Sequence, residues 1–429
     1  MRLPAAALRL WLTMWLTALL AAPATCGSAA SPALFQRTVF SRDWASTGAP
    51  QVLQGQMQGS PWCDAGCIPN GSIGRPGPKP GGPPGFRAPA LCQLGRGGTT
   101  LAISDERNGT GSRLVSRASA NFGRSFGPVR FITGTNSSAD PGPAADMPAA
   151  VWDSAHRRVV LIYQQRGGPA GGCGIGLRTS ADGARWSAPA CLDAAVPVGL
   201  RRSLSPGPGA GLLLPTGRLL FAVHSTFKHA MSNSPRSSLC CVVCATASIF
   251  QQTHGVLRSS LPRVLYSDTG GASWAASAMP GGGATLPGSE CQLAIARNGS
   301  VLVNCRPFPE QQLSMDGRLA AVSKDGGSSF KFPRIDRALW GADCASGFAS
   351  MPSAGSGGTA LYWSGPRNNN TDCPWCRTHM AVLRSDSDGE SWDTDVLSVW
   401  HGEAAYSVSQ SLILAESEGV TRGEGQDVR

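Results

Sequence analysis

The sequence predicts an all-β fold, a six-bladed β-propeller, and three observations carry that expectation. Long helical periodicity is almost absent. Glycine (54) and proline (32) punctuate short β-rich runs such as Val159-Val160-Leu161-Ile162-Tyr163 and Leu212 to Val223. One eight-residue motif then recurs, as it does in chains built from repeated units.

The fullest copy is Ser323-Lys324-Asp325-Gly326-Gly327-Ser328-Ser329-Phe330, of the form Ser-x-Asp-x-Gly-x-Ser/Thr-Trp/Phe. Degenerate copies run Ser119 to Phe126, Thr179 to Trp186, Ser267 to Trp274 and Ser385 to Trp392, with starts roughly 60, 88, 56 and 62 residues apart. The physics is that of a hairpin turn. A short polar side chain caps backbone N–H groups, glycine takes a positive φ, and the aromatic ring packs beneath. These residues are structural, and the turn by itself names no function. About 60 residues make one four-stranded blade, so five turns plus a sixth blade closed by the two chain ends give six.

The remaining segments are read from composition. Residues 1–30 pair Arg2 with an apolar stretch from about Leu8 to Ala22 and then small residues, which reads as a secretory signal peptide, with an uncleaved anchor as the alternative. Residues 31–415 form the propeller, with insertions at about 52–85 and 229–262, and 416–429 are a polar tail. No later run is apolar enough to cross a bilayer, so stable membrane insertion is not expected. The expected location is secreted or lumenal, extracellular or in a lysosome-like vesicle. Acceptor triplets starting at Asn70, Asn108, Asn136, Asn298 and Asn369 fit glycosylation along that route.

Of 14 cysteines, most are expected in disulfides in an oxidising space. A thiolate zinc site is the sharper alternative for Cys63/Cys67, Cys240/Cys241/Cys244 and Cys373/Cys376, but no histidine shares these spacings. The formal net charge of +10 would help attract an anionic ligand, although a soluble arginine-rich surface explains most of it equally well. Nucleic acid is disfavoured, because no dense Lys/Arg run accompanies the export signal.

The chemistry-bearing residues bring a family resemblance. Phe86-Arg87-Ala88-Pro89-Ala90 resembles the Phe/Tyr-Arg-Ile-Pro-Ala segment of sialidases (exo-α-neuraminidases), and Ala102-Ile103-Ser104-Asp105-Glu106-Arg107 follows as their second arginine segment does. Ser289-Glu290-Cys291-Gln292, then Val301 to Asn304 leading into Arg306, is similar to the family's Glu-Cys-Gln and Asn-x-Arg pairing. Arg377 falls where a third arginine is expected, and Tyr406 in Ala404-Ala405-Tyr406-Ser407 resembles the family's nucleophile. Across Phe86 to Leu414 the resemblance implies a sialidase-type propeller. It further implies a retaining exo-α-sialidase that needs no cofactor or metal and acts on sialylated glycoproteins, glycolipids or oligosaccharides. Arg87, Arg306 and Arg377 would grip the substrate carboxylate, with Arg107 also in the pocket, Tyr406 as nucleophile and Glu290 as its proton acceptor.

Elementary chemistry supports such a set. A sugar with a carboxylate on its anomeric carbon suits planar, permanently charged, bidentate arginines. That carboxylate also repels an anionic nucleophile, so a neutral tyrosine activated by a glutamate fits better.

One departure stands out. The family's acid/base aspartate follows the second arginine, yet Asn108-Gly109-Thr110-Gly111-Ser112 contains no acid. Asp64, inside the Cys63-to-Cys67 loop, and Asp105 are the weak replacements, and Asp105 is placed better to hold Arg107. The alternative reading is therefore a catalytically impaired, sialidase-like lectin. A structural propeller without a sugar site is the third.

Overall fold

The computed structural model describes residues 85–409 apart from 96–98, 108–110, 122, 124, 135–143, 167–172, 193–203, 231–250, 254–255, 278–287, 308–316, 342–343, 353–358, 368–376 and 395. It is an all-β propeller of antiparallel sheets, with one short parallel pair where Gly209–Ala210 joins Ala149 and Ala150. Blade 1 comprises Gly85–Leu94, Thr99–Arg107, Ser112–Ser119 and Arg130–Phe131, and blade 2 comprises Ala144–Asp153, Arg158–Arg166, Ile175–Ser180 and Ala190–Cys191. Blade 3 is built around the long hairpin of Leu219–Ala230 and Val256–Ser267, flanked by Leu204–Pro206, Leu212–Leu213, Gln251–Thr253 and Ala275–Ala276. Blade 4 runs Gly288–Ile295, Val301–Pro307, Arg318–Ser323 and Lys331–Asp336, and blade 5 runs Gly347–Pro352, Thr359–Pro366, Thr378–Ser385 and Leu397–Glu403.

Strand composition explains the core. First strands of neighbouring blades pack on one another, Gly85–Leu94 on Ala144–Asp153 and Gly288–Ile295 on Gly347–Pro352. Apolar side chains between sheets form successive clusters. Leu101, Ile103, Leu161 and Tyr163 fill the space between blades 1 and 2, and Ile162, Leu219 and Phe221 the space between blades 2 and 3. Leu220, Leu293 and Val303 then join blades 3 and 4, and Leu302, Phe348 and Trp363 join blades 4 and 5. Each such side chain contributes about 1.5–3 kcal/mol when fully buried.

The recurring motif makes the turn between the third and fourth strands of every blade, as its chemistry requires. A serine accepts a hydrogen bond from the motif glycine: Ser119 from Gly123 at 2.6 Å, Ser267 from Gly271 at 2.7 Å, Ser323 from Gly327 at 2.7 Å and Ser385 from Gly389 at 2.9 Å, and in the second copy Ser180, one residue after Thr179, from Gly183 at 2.8 Å in a turn one residue shorter. All five glycines have positive φ, between 71° and 93°. Where Asp325 accepts the N–H of Ser329, Thr269 and Ser387 accept those of Ser273 and Ser391 through hydroxyl oxygens, so the degenerate copies keep the hydrogen bond without the charge. Arginines then latch three of the turns to the preceding blade. Arg158 donates to Gly270 O, Arg218 to Gly326 O and Ser328, and Arg297 to Asp386 O.

The blade number differs from the expectation. Five sheets, not six, are present among the described residues. Each of the five motif copies closes one sheet, whereas the sixth blade was to come from chain ends that carry no motif. After Glu403 the segment Ala404–Ser409 joins no β-ladder. Side chains fasten it instead. Ser407 Oγ accepts from Gly347 N at 3.0 Å and donates to Ser364 O at 2.8 Å on blade 5, while Val408 packs with Leu91, Ala102 and Val115 of blade 1. The ring is thus bridged between blades 5 and 1 by hydrogen-bonded serines and one buried valine.

Two disulfides occur among the described residues, Cys173–Cys191 and Cys291–Cys305, while Cys92 and Cys344 are buried free thiols. The cysteine groups weighed for zinc, with Asp64, lie outside the described residues.

Candidate active site

Three inner strands break register at the same place. The shifts fall between Arg87 and Ala90, Asp146 and Ala149, and Ser289 and Gln292, and each holds a left-handed residue: Ala88 (φ 50°), Met147 (φ 54°) and Glu290 (φ 44°). Tyr406 in the bridging segment is left-handed too, at φ 57°. Such bulges bend a strand and re-aim its side chains. Here they turn charged and phenolic groups toward one another.

Tyr406 is the meeting point. Its hydroxyl donates to Glu290 Oε1 at 2.7 Å, and Glu290 Oε2 accepts from Arg306 Nη1 at 2.5 Å. Arg87 donates from Nη2 to the Tyr406 oxygen, and its guanidinium carbon lies 4.6 Å from the ring centroid. The Arg377 guanidinium carbon lies 5.5 Å from the same centroid. The backbone fixes this pairing, since Ala404 N donates to Arg377 O at 2.8 Å. Glu290, Arg306 and Tyr406 are all buried.

Burial and charge set the protonation states. Burial pushes the Glu290 carboxyl up, but Arg306, Arg87 and the Tyr406 hydroxyl outweigh it and hold the group well below the usual carboxylate range. For Tyr406, burial and then Glu290 raise the phenol, and Arg87, Arg377 and Arg306 pull only partly the other way. The resting pair is therefore an ionised carboxylate beside a neutral phenol, with three cations ready to stabilise a phenolate.

Arg107 is placed differently. Asp105 lies opposite Arg87 in the strand register, and its Oδ2 takes Arg107 Nε at 3.1 Å and Nη2 at 2.9 Å. Arg107 Nη2 also reaches Asp146 Oδ2 at 3.3 Å, and Arg166 pairs with the same oxygen at 3.2 Å. Burial pushes Asp105 up to about 6 despite Arg107 and Arg87, and burial likewise raises Asp146. Asp105 Oδ1, Asp146 Oδ1 and Arg87 Nε are buried with no hydrogen-bond partner among the described residues. This wall of alternating carboxylates and guanidinium groups is suited to sugar hydroxyls, which both donate and accept.

The expected nucleophile Tyr406 and the four residues expected around it, Arg87, Glu290, Arg306 and Arg377, thus come together, and Arg107 lies beside them, paired with Asp105. Sequence reasoning missed Asp146. Its signal was present, because Asp146-Met147-Pro148-Ala149 repeats the charged-x-Pro-Ala pattern of Arg87-Ala88-Pro89-Ala90. It also missed His224, whose Nδ1 accepts the Glu290 N–H at 3.3 Å; burial, aided by Arg306, pushes this imidazole down to about 4, so it is neutral there. Arg318, buried and bonded to Asn304 at 3.1 Å and Cys344 O at 2.7 Å, had no sequence signal.

A propeller closed by five such turns, with arginines gathered on one phenol, defines a class before it defines a protein. The chain belongs to the BNR repeat-like domain family, whose model matches residues 117–418. In fold it is similar to the Hadza microbial sialidase Hz136, at 17% identity over 75% of this chain and 60% of that one, with a TM-score of 0.56. It is similar to Trypanosoma rangeli sialidase in complex with the inhibitor DANA, at 16% identity over 74% of this chain and 48% of that one, with a TM-score of 0.51. The intramolecular trans-sialidase from Ruminococcus gnavus gives 15% identity over 74% of this chain and 85% of that one, also with a TM-score of 0.51. The chain therefore spans less than two thirds of the first and about half of the second, and the likeness establishes a sialidase-type fold.

Proposed function

We propose that this protein is a retaining exo-α-sialidase that removes terminal sialic acid from secreted or lumenal glycans. One observation carries the reading: guanidinium groups from three blades, Arg87, Arg306 and Arg377, surround a phenol whose hydroxyl is bonded to a buried carboxylate, Glu290. In this reading the arginines receive the substrate carboxylate, and Arg107, Asp105 and Asp146 face ring hydroxyls. Tyr406 Oη then bonds to the anomeric carbon as the bond to the leaving oxygen breaks, the Tyr406 proton passing to Glu290 Oε1 and the leaving oxygen taking its proton from the medium. In the second half water takes the anomeric position and releases a proton to the medium, and the departing phenolate recovers its own from Glu290. The two disulfides among the described residues fit an oxidising compartment.

A second reading is a sialic-acid-binding lectin. It is favoured by the acid-free stretch after Arg107 and by Asp105 being committed to Arg107. Loss of general acid catalysis costs about 10²–10⁴-fold, and least where the leaving group needs no proton. The deciding substrate is therefore an activated aryl α-sialoside. The enzyme reading expects turnover by the wild type and its loss, by on the order of 10⁴-fold or more, in Tyr406→Phe, with sialic-acid analogue binding retained. Full turnover by Tyr406→Phe would refute the mechanism, and saturable binding by the wild type with no product released would select the lectin.

A further inference from the structure

Cys291 directly follows Glu290, Cys305 directly precedes Arg306, and one disulfide joins them with Cα atoms 4.0 Å apart. The two strands pair Ser289 with Arg306 and Gln292 with Asn304, so Glu290 and Cys291 together oppose Cys305 across a bulge. The cross-link therefore spans the irregularity that holds Glu290 left-handed at φ 44°, a conformation disfavoured for any residue with a Cβ.

The other bulges are stiffened by other means. Pro89 follows Ala88 and Pro148 follows Met147, each with a locked φ. At Tyr406 the next residue is Ser407, bonded to Gly347 and Ser364. Cys291 occupies that same position after Glu290. Each of these four left-handed residues is thus followed by one device that fixes the chain, and of the four only Glu290 is followed by a disulfide.

We propose that the Cys291–Cys305 disulfide is a positioning element of the active site, holding Glu290 and Arg306 in register so that both reach Tyr406. The inference rests on the proposed sialidase reading for its kinetic consequence, but not for its geometric one. Cys173–Cys191, which ties the residue two before the third strand of blade 2 to the fourth strand, serves as the internal control.

The test compares Cys291→Ala/Cys305→Ala with Cys173→Ala/Cys191→Ala. On an aryl α-sialoside the first pair should lower kcat by about 10²-fold, the scale of a misplaced catalytic group, with a smaller change in KM, and the control pair should leave kcat within about twofold. A second readout needs no activity. The Tyr406 phenol, isolated from the three other tyrosines by difference against Tyr406→Phe, should titrate closer to the ordinary value of about 10 once the cross-link is gone. If the alanine pair does not fold, Cys291→Ser/Cys305→Ser is read the same way. A folded variant with unchanged kcat and unchanged Tyr406 titration overturns the proposal. A wild type without turnover would refute the sialidase reading instead, and the titration alone would then decide this one.

Discussion

The two faces of the propeller bend their chain by the same backbone conformation but fill it with different residues. On the turn face the positive φ falls mostly on glycine: Gly123, Gly183, Gly271, Gly327 and Gly389 in the motif, and Gly217 and Gly299 between first and second strands. Around the candidate nucleophile it falls on Ala88, Met147, Glu290 and Tyr406 itself. A left-handed residue with a side chain costs roughly 1–2 kcal/mol, a cost glycine does not carry. The turn face takes the cheap solution because it needs only a shape. The mouth cannot, because two of those positions must also present a carboxylate and a phenol, and strain concentrated there fits a site whose side chains are re-aimed for chemistry.

The sharpest way to break this contrast is Glu290→Gln. Turnover of an aryl α-sialoside by the folded variant should fall by about 10²–10⁴-fold, since the phenol loses its proton acceptor, and stability should fall as well because Arg306 loses its buried partner. Retained turnover would mean the strained carboxylate has no catalytic part.

Next comes a pH effect at the mouth. Asp105 is raised in the folded state to about 6, so ionising it disfavours folding. The contribution of Asp105 to stability is full below its unfolded value near 4 and is lost as pH rises from about 4 to 6, on the order of 2–3 kcal/mol. Stability from denaturant unfolding across that range should fall more steeply, or rise more gently, in the wild type than in Asp105→Asn, the difference between the two slopes being the Asp105 contribution. Equal slopes would place the buried charge elsewhere.

A smaller effect is expected on the turn face. At Gly327 (φ +86°) a Cβ would meet Leu220 Cδ2 at 2.9 Å, whereas at Gly217 (also φ +86°) nothing lies within 4 Å. Gly327→Ala should cost about 1–3 kcal/mol from strain plus crowding, and Gly217→Ala only the conformational part, about 1 kcal/mol. Neither should change turnover by the folded protein. The smallest change is expected for Ala88→Gly. Relief of the left-handed strain there offsets the entropy of the added glycine, leaving a net change within about 0.5 kcal/mol, against the roughly 1 kcal/mol usual for Ala to Gly in a strand. Calorimetric melting of the three variants tests this order.

Legibility in the sequence follows the same division. The turn face was readable because its physics is local, with serine, glycine and an aromatic at fixed offsets. Even the copies where threonine or serine replaces aspartate were found, since they preserve the hydrogen bond. Blade number was misjudged for want of local physics, because the Ala404–Ser409 bridge is held by serines and a valine to blades distant in sequence. At the mouth, Arg87, Glu290, Arg306, Arg377 and Tyr406 were found through their resemblance and meet in space. Their bulges were not foreseen, because a register shift depends on the partner strand. His224 and Arg318 looked like ordinary strand residues until the fold set one beside the Glu290 amide and the other beside Cys344.

The central claim is that Tyr406 becomes covalently bound to the sugar. The most direct measurement is to treat the folded protein with a 2,3-difluoro sialic acid, digest it and weigh the peptides. The account predicts one sialyl adduct on the peptide carrying Tyr406, absent in Tyr406→Phe. An adduct on another residue, or none from a protein that binds the reagent, would contradict it.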